Sequence, residues 1–196
     1  KSFTKHQPAT HNPTFQRTTT TATITLDTPA QKTSPQLQDV HKTTSHLGTF
    51  GHALLEEAAR QCWQLNIHPV AQRIRQHLHL TEKEIQPLLC QLPSVIEHMQ
   101  QQTQHASSLL PEHSFLLHTD QHLIDGTIDL VAIYPDGIHL FDYKFSQSTP
   151  QQLKERYQPQ LHIYGQALRN IYPNQPILGS HIVAIQPNHI QSIPLP

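Results

Sequence analysis

The sequence has little charge, few cysteines and no long apolar run, and each scarcity excludes a class of protein. Charged residues make up 14% of the 196 residues and the formal net charge is −1, so no basic field argues for nucleic-acid binding by charge alone. Two cysteines, Cys62 and Cys90, lack the spacing of a zinc knuckle, an iron–sulfur ligand set or a disulfide framework. Apolar runs of about 18 residues, which a membrane span needs, do not occur.

The first residues also lack two features. The start KSFTKHQPATHNP contains no apolar core of a signal peptide and no initiator Met. We therefore expect a chain that is part of a longer protein, with reduced cysteines in the cytoplasm. What the chain has instead is polarity without charge, with 17 His and 16 Pro, which reflects the residue usage of the host as readily as a function.

Composition divides the chain in two. Residues 1–44 are rich in Thr, Pro, Gln and Ser and poor in large apolar residues, so they cannot bury enough surface to offset the entropy of ordering. We predict a flexible linker over residues 1–44 and one domain over residues 45–196.

Helical periodicity begins at Leu47, where LGTFGHALLEEAARQCWQL places its apolar residues on one face. A second helix is predicted over PVAQRIRQHLHL, opened by Pro69. A third begins at Thr81, whose TEKE segment forms a capping box with Glu84. We expect Pro93 to break this helix and a further helix to follow it.

The period then changes to two, which is typical of strands. Strands are predicted over SFLLHTDQHL, DGTIDLVAIYP and GIHLFDYKFS, with a PDG turn joining the last two. The helix QQLKERYQPQLHIYGQALRNIYP follows, tolerating Pro159, and the strands ILGSHIVAIQP and HIQSIPL close the chain. This order predicts an α/β domain with a small mixed β-sheet of about five strands flanked by helices.

Three charges stand among the apolar residues of the central hairpin, namely Asp129, Asp142 and Lys144. A desolvated charge costs several kcal/mol unless it is compensated. Alternation directs Asp142 and Lys144 to the same side, and the turn brings Asp129 close to Asp142 across the hairpin. Because two facing carboxylates repel each other, we expect a divalent cation between them, and hard oxygen ligands favour Mg²⁺ or Mn²⁺.

The segment GTID…FDYK resembles the core of the PD-(D/E)XK nucleases, and more narrowly the C-terminal nuclease domain of RecB and AddA helicase–nucleases. Three further segments resemble that family in the same order. GTFGHALLEEA contains His52 and Glu56, LLPEHSFLL contains Glu112, and QPQLHIYGQAL contains Gln160 and Tyr164. The resemblance spans roughly residues 45–196 and implies a restriction-endonuclease-like core.

The resemblance also implies roles. The implied metal ligands are His52, Asp129, Asp142 and the backbone carbonyl of Tyr143. The implied catalytic residues are Asp129, Asp142, Lys144, Gln160 and Tyr164. The cofactor would be Mg²⁺, with Mn²⁺ as a substitute and no iron–sulfur cluster. Because two carboxylates stabilise its ammonium form, we expect Lys144 to orient water and stabilise transition-state charge rather than to act as a base.

Each assignment has a structural alternative. Asp142 and Lys144 alone would fit an exposed ion pair on an edge strand, and His52 would fit a core or surface histidine. Glu56 is expected to be a helix-face charge. Glu112 stays open between an ion pair at the start of a strand and an acid that acts from outside the ligand set. Tyr164 also fits plain core packing, because apolar residues precede and follow it at helical spacing.

These features predict a metal-dependent DNA exonuclease domain that hydrolyses phosphodiester bonds in double-strand-break processing within a larger helicase–nuclease. The expected partners are DNA, the helicase domain of the parent chain and a partner subunit, with no membrane. A Walker motif is absent from the sequence, so any ATPase lies elsewhere. Candidate DNA-backbone contacts are Lys154, Arg156 and Arg169. The alternatives are a stand-alone exonuclease and an inactive nuclease fold that guides DNA or braces a partner.

Overall fold

The computed structural model describes residues 35–119 and 123–196, with the backbone alone for residues 35–45. The elements in this part of the chain are, in order, α1 (Pro35–Arg60), α2 (Ile67–His77), α3 (Glu82–Thr103), β1 (Ser108–His118), β2 (Leu123–Tyr134), β3 (Gly137–Phe145), α4 (Pro150–Ile171), β4 (Ile177–Gln186) and β5 (His189–Leu195). Helix α1 begins ten residues before the predicted domain start at residue 45, so the predicted boundary falls inside a helix. Residues 1–34 of the predicted linker lie outside the described part.

One five-stranded sheet joins the strands in the order β1-β2-β3-β4-β5. Neighbouring strands are antiparallel except β3 and β4, which run parallel and are joined through α4. The predicted turn between β2 and β3 is present, with Tyr134 paired to Gly137. The expected small mixed sheet flanked by helices is therefore confirmed.

The two faces of the sheet carry separate cores. On one face, Phe141 and Tyr143 of β3 pack with residues of α1, α2 and α3. On the other face, Ile138 and Leu140 pack with residues of α4. Since side chains alternate along a strand, Asp142 and Lys144 belong to the α4 face, as the period of two predicted.

Two helix predictions need correction. The capping box of α3 is present, with Thr81 and Glu84 bonded reciprocally, but the expected break at Pro93 is wrong because α3 continues through it to Thr103. Leu92 and Met99, buried in the first core, offset the backbone hydrogen bond that a proline removes. Helix α1 ends at Arg60 rather than Leu65, because the backbone turns left-handed just after it.

The first strand is displaced from its prediction. A strand was expected over residues 114–123, whereas β1 is Ser108–His118 and Leu123 already belongs to β2. Pro111 is tolerated within β1 because this strand forms an edge of the sheet. None of the described helices combines the length and apolarity that crossing a membrane requires.

Candidate active site

The site begins where the regular pairing of β1 and β2 is interrupted. The register of the two strands sets Glu112 opposite Asp129, and Glu112 has a left-handed backbone with φ of +48°. Ile128 packs into the core of the α4 face while Leu130, two residues on, packs into the opposite core. Alternation therefore fails at Asp129. The left-handed backbone of Glu112 is costly for a residue other than glycine, and residues with such strain cluster at functional sites.

The carboxylate of Asp129 is held on both oxygens. Oδ2 accepts the backbone N–H of Tyr143 at 2.6 Å, just beyond the last registered pair of β2 and β3, Leu130 with Phe141. Oδ1 lies 3.3 Å from Nδ1 of His52. The side chain of Asp129 thus accepts a hydrogen bond from β3 in place of a backbone carbonyl of β2, and its second oxygen faces α1.

His52 reaches this point because α1 approaches β3 closely. At Gly51 a Cβ would lie 2.3 Å from the ring of Phe145, so the absence of a side chain allows the aromatic ring to rest against the helix. The ring of His52 makes edge contacts with Tyr143 and Phe145, at centroid distances of 6.1 and 5.6 Å. Burial lowers the pKa of His52, but the hydrogen bond and charge of Asp129 outweigh it, and the pKa is raised.

Among the described residues, His52, Glu112 and Asp129 form a set of possible metal ligands whose donor atoms all lie within 4.8 Å of one another. Burial raises the pKa of Glu112, and the nearby charges of Asp129 and Glu56 raise it further. One imidazole and two carboxylates fit Mg²⁺ and Mn²⁺, with Mn²⁺ accepting nitrogen more readily. A divalent cation in this set would relieve the repulsion between the two carboxylates.

Asp142 lies near this set and has its own partners. It is 1% exposed, and Nζ of Lys144 lies 2.6 Å from its Oδ2. Nε2 of Gln160 donates to its Oδ1 at 3.4 Å. Burial raises the pKa of Asp142 to about 6 against the opposing pull of Lys144, and the charge of Asp129 adds to the rise. Asp142 is not a member of the three-residue set of possible ligands. Its role as a metal ligand, and that of the Tyr143 carbonyl, stay predictions.

The Gln160 and Tyr164 pair lies on the face of α4 that covers Asp142. Besides contacting Asp142, the amide of Gln160 donates to the hydroxyl of Tyr164. Tyr164 is buried, contacts Phe115 edge-on at a centroid distance of 5.6 Å, and burial raises its pKa to about 12. Tyr164 is thus both core packing and a neutral hydroxyl beside Gln160.

Two residues near the site have positions that the sequence did not predict. Glu112 is one of the three possible metal ligands; its expected place before a strand was the signal, but its left-handed backbone could not be predicted from the sequence. Tyr157 lies against Lys144, whose Nζ is 4.5 Å from the ring centroid. Its helical spacing to Gln160 and Tyr164 was the available signal.

The remaining candidates are not members of this three-residue set. Glu56 forms an ion pair with Arg60 at 2.6 Å along α1, as expected of a helix-face charge. Of the candidate DNA contacts, Arg156 and Arg169 are exposed and Lys154 is half-buried. The two cysteines, Cys62 and Cys90, are free and exposed.

Comparisons with known proteins show what the chain is similar to. A family model described as the PD-(D/E)XK nuclease superfamily matches residues 29–191. A protein of Oenococcus oeni described as a subunit of an ATP-dependent helicase/nuclease is 41% identical over 71 residues, which is 35% of this chain and 6% of that protein. The protein of the same description from Streptococcus suis is 41% identical over 54 residues, 27% of this chain and 4% of the relative. A solved structure described as the crystal structure of SSO0001 covers 81% of this chain and 77% of its own, at 13% identity and a TM-score of 0.38.

Proposed function

The chain belongs to the PD-(D/E)XK nuclease superfamily, and from this premise we propose that it is a Mg²⁺-dependent deoxyribonuclease domain. It acts as an exonuclease on DNA ends during double-strand-break processing and recombinational repair. The observation that carries the proposal is the convergence of donor atoms of His52, Glu112 and Asp129 within 4.8 Å of one another, beside the buried carboxylate of Asp142 and its partner Lys144.

The proposed ligands are the imidazole of His52, the carboxylates of Asp129 and Asp142 and the carbonyl of Tyr143, to which the geometry adds Glu112. A divalent ion held there would polarise the scissile phosphate and lower the pKa of a bound water. His52 is fixed for this role by Asp129 at 3.3 Å, and Asp129 is fixed in turn by the Tyr143 N–H at 2.6 Å. Such supporting contacts set ligand orientation and basicity.

Lys144 supplies the positive charge that the protein itself brings to the reacting phosphate. Its ammonium, anchored 2.6 Å from Asp142, orients the attacking water and stabilises the charge that develops on phosphate oxygens. Gln160 donates hydrogen bonds to the second oxygen of Asp142 and to the hydroxyl of Tyr164, so it fixes α4 against β3. Asp142, Lys144, Gln160 and Tyr164 act together with Asp129 in this mechanism.

The relatives are described as helicase/nuclease subunits, which supports a parent chain that carries a helicase domain and assembles with a partner subunit in the cytoplasm. The matched stretches are 6% and 4% of those proteins, as a small domain of a large subunit would be. A motor that delivers the strand would explain the absence of a strong basic field, since Lys154, Arg156 and Arg169 then need to supply only part of the phosphate affinity.

The experiment measures degradation of linear and of closed circular DNA with Mg²⁺ or Mn²⁺, by the chain alone and joined to its helicase. We expect digestion of linear DNA only, with Asp142→Ala and Lys144→Ala at least about a hundredfold slower. The matched controls are Asp136→Ala in the β2–β3 turn and Lys83→Ala on α3, both exposed, and both should retain wild-type rates.

Equal rates in wild type and both site variants would contradict the proposal. A wild type that stays inactive even when joined to the helicase would favour the alternative, a nuclease fold that guides DNA or braces a partner subunit without catalysis. Digestion of closed circular DNA at the same rate would remove the exonuclease assignment and leave the nuclease assignment standing.

A further inference from the structure

We infer that Tyr157 is a positioning residue that holds the Lys144 ammonium over the site through the π face of its ring. This inference deepens the proposed function and rests on it, because it concerns how the lysine of that same site is kept in place. Nζ of Lys144 lies 4.5 Å from the centroid of the Tyr157 ring, within the roughly 6 Å at which a cation is attracted to an aromatic face.

The topology brings the ring to this position. Helix α4 begins shortly after β3 ends and returns over the sheet toward β4. Tyr157, Gln160 and Tyr164 follow one another at spacings of three and four, so they share one helix face. That face meets β3 through Gln160 on Asp142 and through Tyr157 on Lys144.

Lys144 needs a second anchor because its first one has a competing task. Its ammonium lies 2.6 Å from Oδ2 of Asp142, the carboxylate that the proposed function also turns toward a divalent cation. When that carboxylate shares its charge with a cation, its hold on Lys144 weakens, and a flexible four-carbon side chain gains freedom to swing into water. An aromatic face attracts the ammonium whatever the state of Asp142.

The competing explanation is that Tyr157 merely fills space. It is partly buried against the core of the α4 face, and so is Tyr172 at the other end of the same helix. The guanidinium carbon of Arg156 also lies 5.4 Å from the Tyr157 ring, so the ring has two cations near it. A test must therefore separate the aromatic face from bulk, and Lys144 from Arg156.

The experiment compares Tyr157→Phe, which keeps the ring, with Tyr157→Leu, which keeps bulk without a π face. Tyr172→Leu is the matched control. In the metal-free chain, heteronuclear NMR follows the Cε–Hε signal of Lys144, identified by its loss in Lys144→Ala. We expect an upfield ring-current shift in wild type, Tyr157→Phe and Tyr172→Leu, and its loss in Tyr157→Leu.

The same variants are then assayed on linear DNA with Mg²⁺. Tyr157→Leu should lower kcat roughly threefold to thirtyfold, the worth of one cation–π contact, with KM within about twofold of wild type. Tyr157→Phe and Tyr172→Leu should keep the wild-type kcat. A Tyr157→Leu variant that retains the wild-type kcat overturns the inference, and so does a wild-type Lys144 signal without the ring-current shift. A wild type without activity overturns the proposed function instead, and the wild-type ring-current shift then still decides whether the Tyr157 ring lies over Lys144.

Discussion

The site has two halves, one toward α4 and one toward α1, and they balance charge differently. On the α4 side, the buried carboxylate of Asp142 is paired with the ammonium of Lys144 at 2.6 Å. On the α1 side, Asp129 is paired with an imidazole, that of His52, at 3.3 Å, and Glu112 adds a second carboxylate to the same set. One half contains a permanent cation within hydrogen-bonding distance, and the other presents two acids to one titratable base.

The difference indicates which half has the greater need of a cation from outside. A buried carboxylate with its own ammonium is already compensated, at the cost of desolvating both. Two acids beside a histidine stay uncompensated until a cation arrives. The following predictions test this contrast in order of decreasing effect.

The largest effect concerns pH and Asp142. Its pKa is raised from 3.8 to about 6 by burial, so the folded state holds this proton to higher pH than the unfolded state. Folded protein therefore binds more protons between these values, and the free energy of unfolding falls as pH rises. Measured in EDTA by urea denaturation and relative to Asp142→Asn, wild type should lose roughly 2–3 kcal/mol between pH 4 and 7.

The reference variant is essential here because His181 acts with the opposite sign in the same range. Burial and the neighbouring His139 lower the pKa of His181 to about 4, so its contribution to stability increases with pH and would mask that of Asp142 in wild type alone. A difference between wild type and Asp142→Asn that stays flat over this range would show that Asp142 is compensated more fully than its burial implies.

The next effect concerns metal affinity. His52→Ala and Asp129→Ala should weaken Mn²⁺ binding, followed by calorimetry, by at least about tenfold, because each removes a ligand from the acid-rich half. Lys144→Ala is the opposing variant. It removes a positive charge from the site, so its Mn²⁺ affinity should be equal to or tighter than that of wild type. Weaker binding in Lys144→Ala, or unchanged binding in His52→Ala, would break the division into two halves.

A smaller effect is expected from removing the internal cation. Without Lys144, Asp142 escapes an unpaired charge by taking up a proton, which limits the loss. The pKa of Asp142 is about 6, one pH unit below pH 7, so protonating this carboxylate at pH 7 costs roughly 1–2 kcal/mol. Lys144→Met should therefore lower the free energy of unfolding by that amount at pH 7 and by almost nothing at pH 5. Adding Asp142→Asn should restore the loss; a double variant as unstable as the single one contradicts this account.

The smallest effect is a gain. In EDTA, Glu112→Gln relieves the repulsion between Glu112 and Asp129 and should raise the free energy of unfolding by up to about 1 kcal/mol, seen as a higher melting temperature. With Mn²⁺ present the gain should reverse, since the cation removes the same repulsion in wild type and binds more weakly to the variant, which lacks one carboxylate. A variant that is destabilised in EDTA would mean that the carboxylate of Glu112 already has a favourable partner.

Local rules predicted much of this architecture. Alternation put Asp142 and Lys144 on one face, the TEKE segment predicted the cap at Thr81, and the five strands were identified in order. The failures come from contacts distant in sequence. Pro93 stays helical because α3 is packed against the core, and Glu112 comes close to His52 and Asp129 where its backbone departs from the strand. The ligand and catalytic roles themselves remain predictions.

The close approach at Gly51 has a consequence for how this site can vary. The residue that sets the reach of the His52 imidazole is its neighbour, which contributes no atoms beyond the backbone, since the ring of Phe145 occupies the space where a Cβ would stand. Adding a single methyl group there would move the helix or the ring. The spacing of the three possible metal ligands is therefore adjustable from a residue that binds nothing. Under the proposed function, the ion preference could then change while every ligand stays the same.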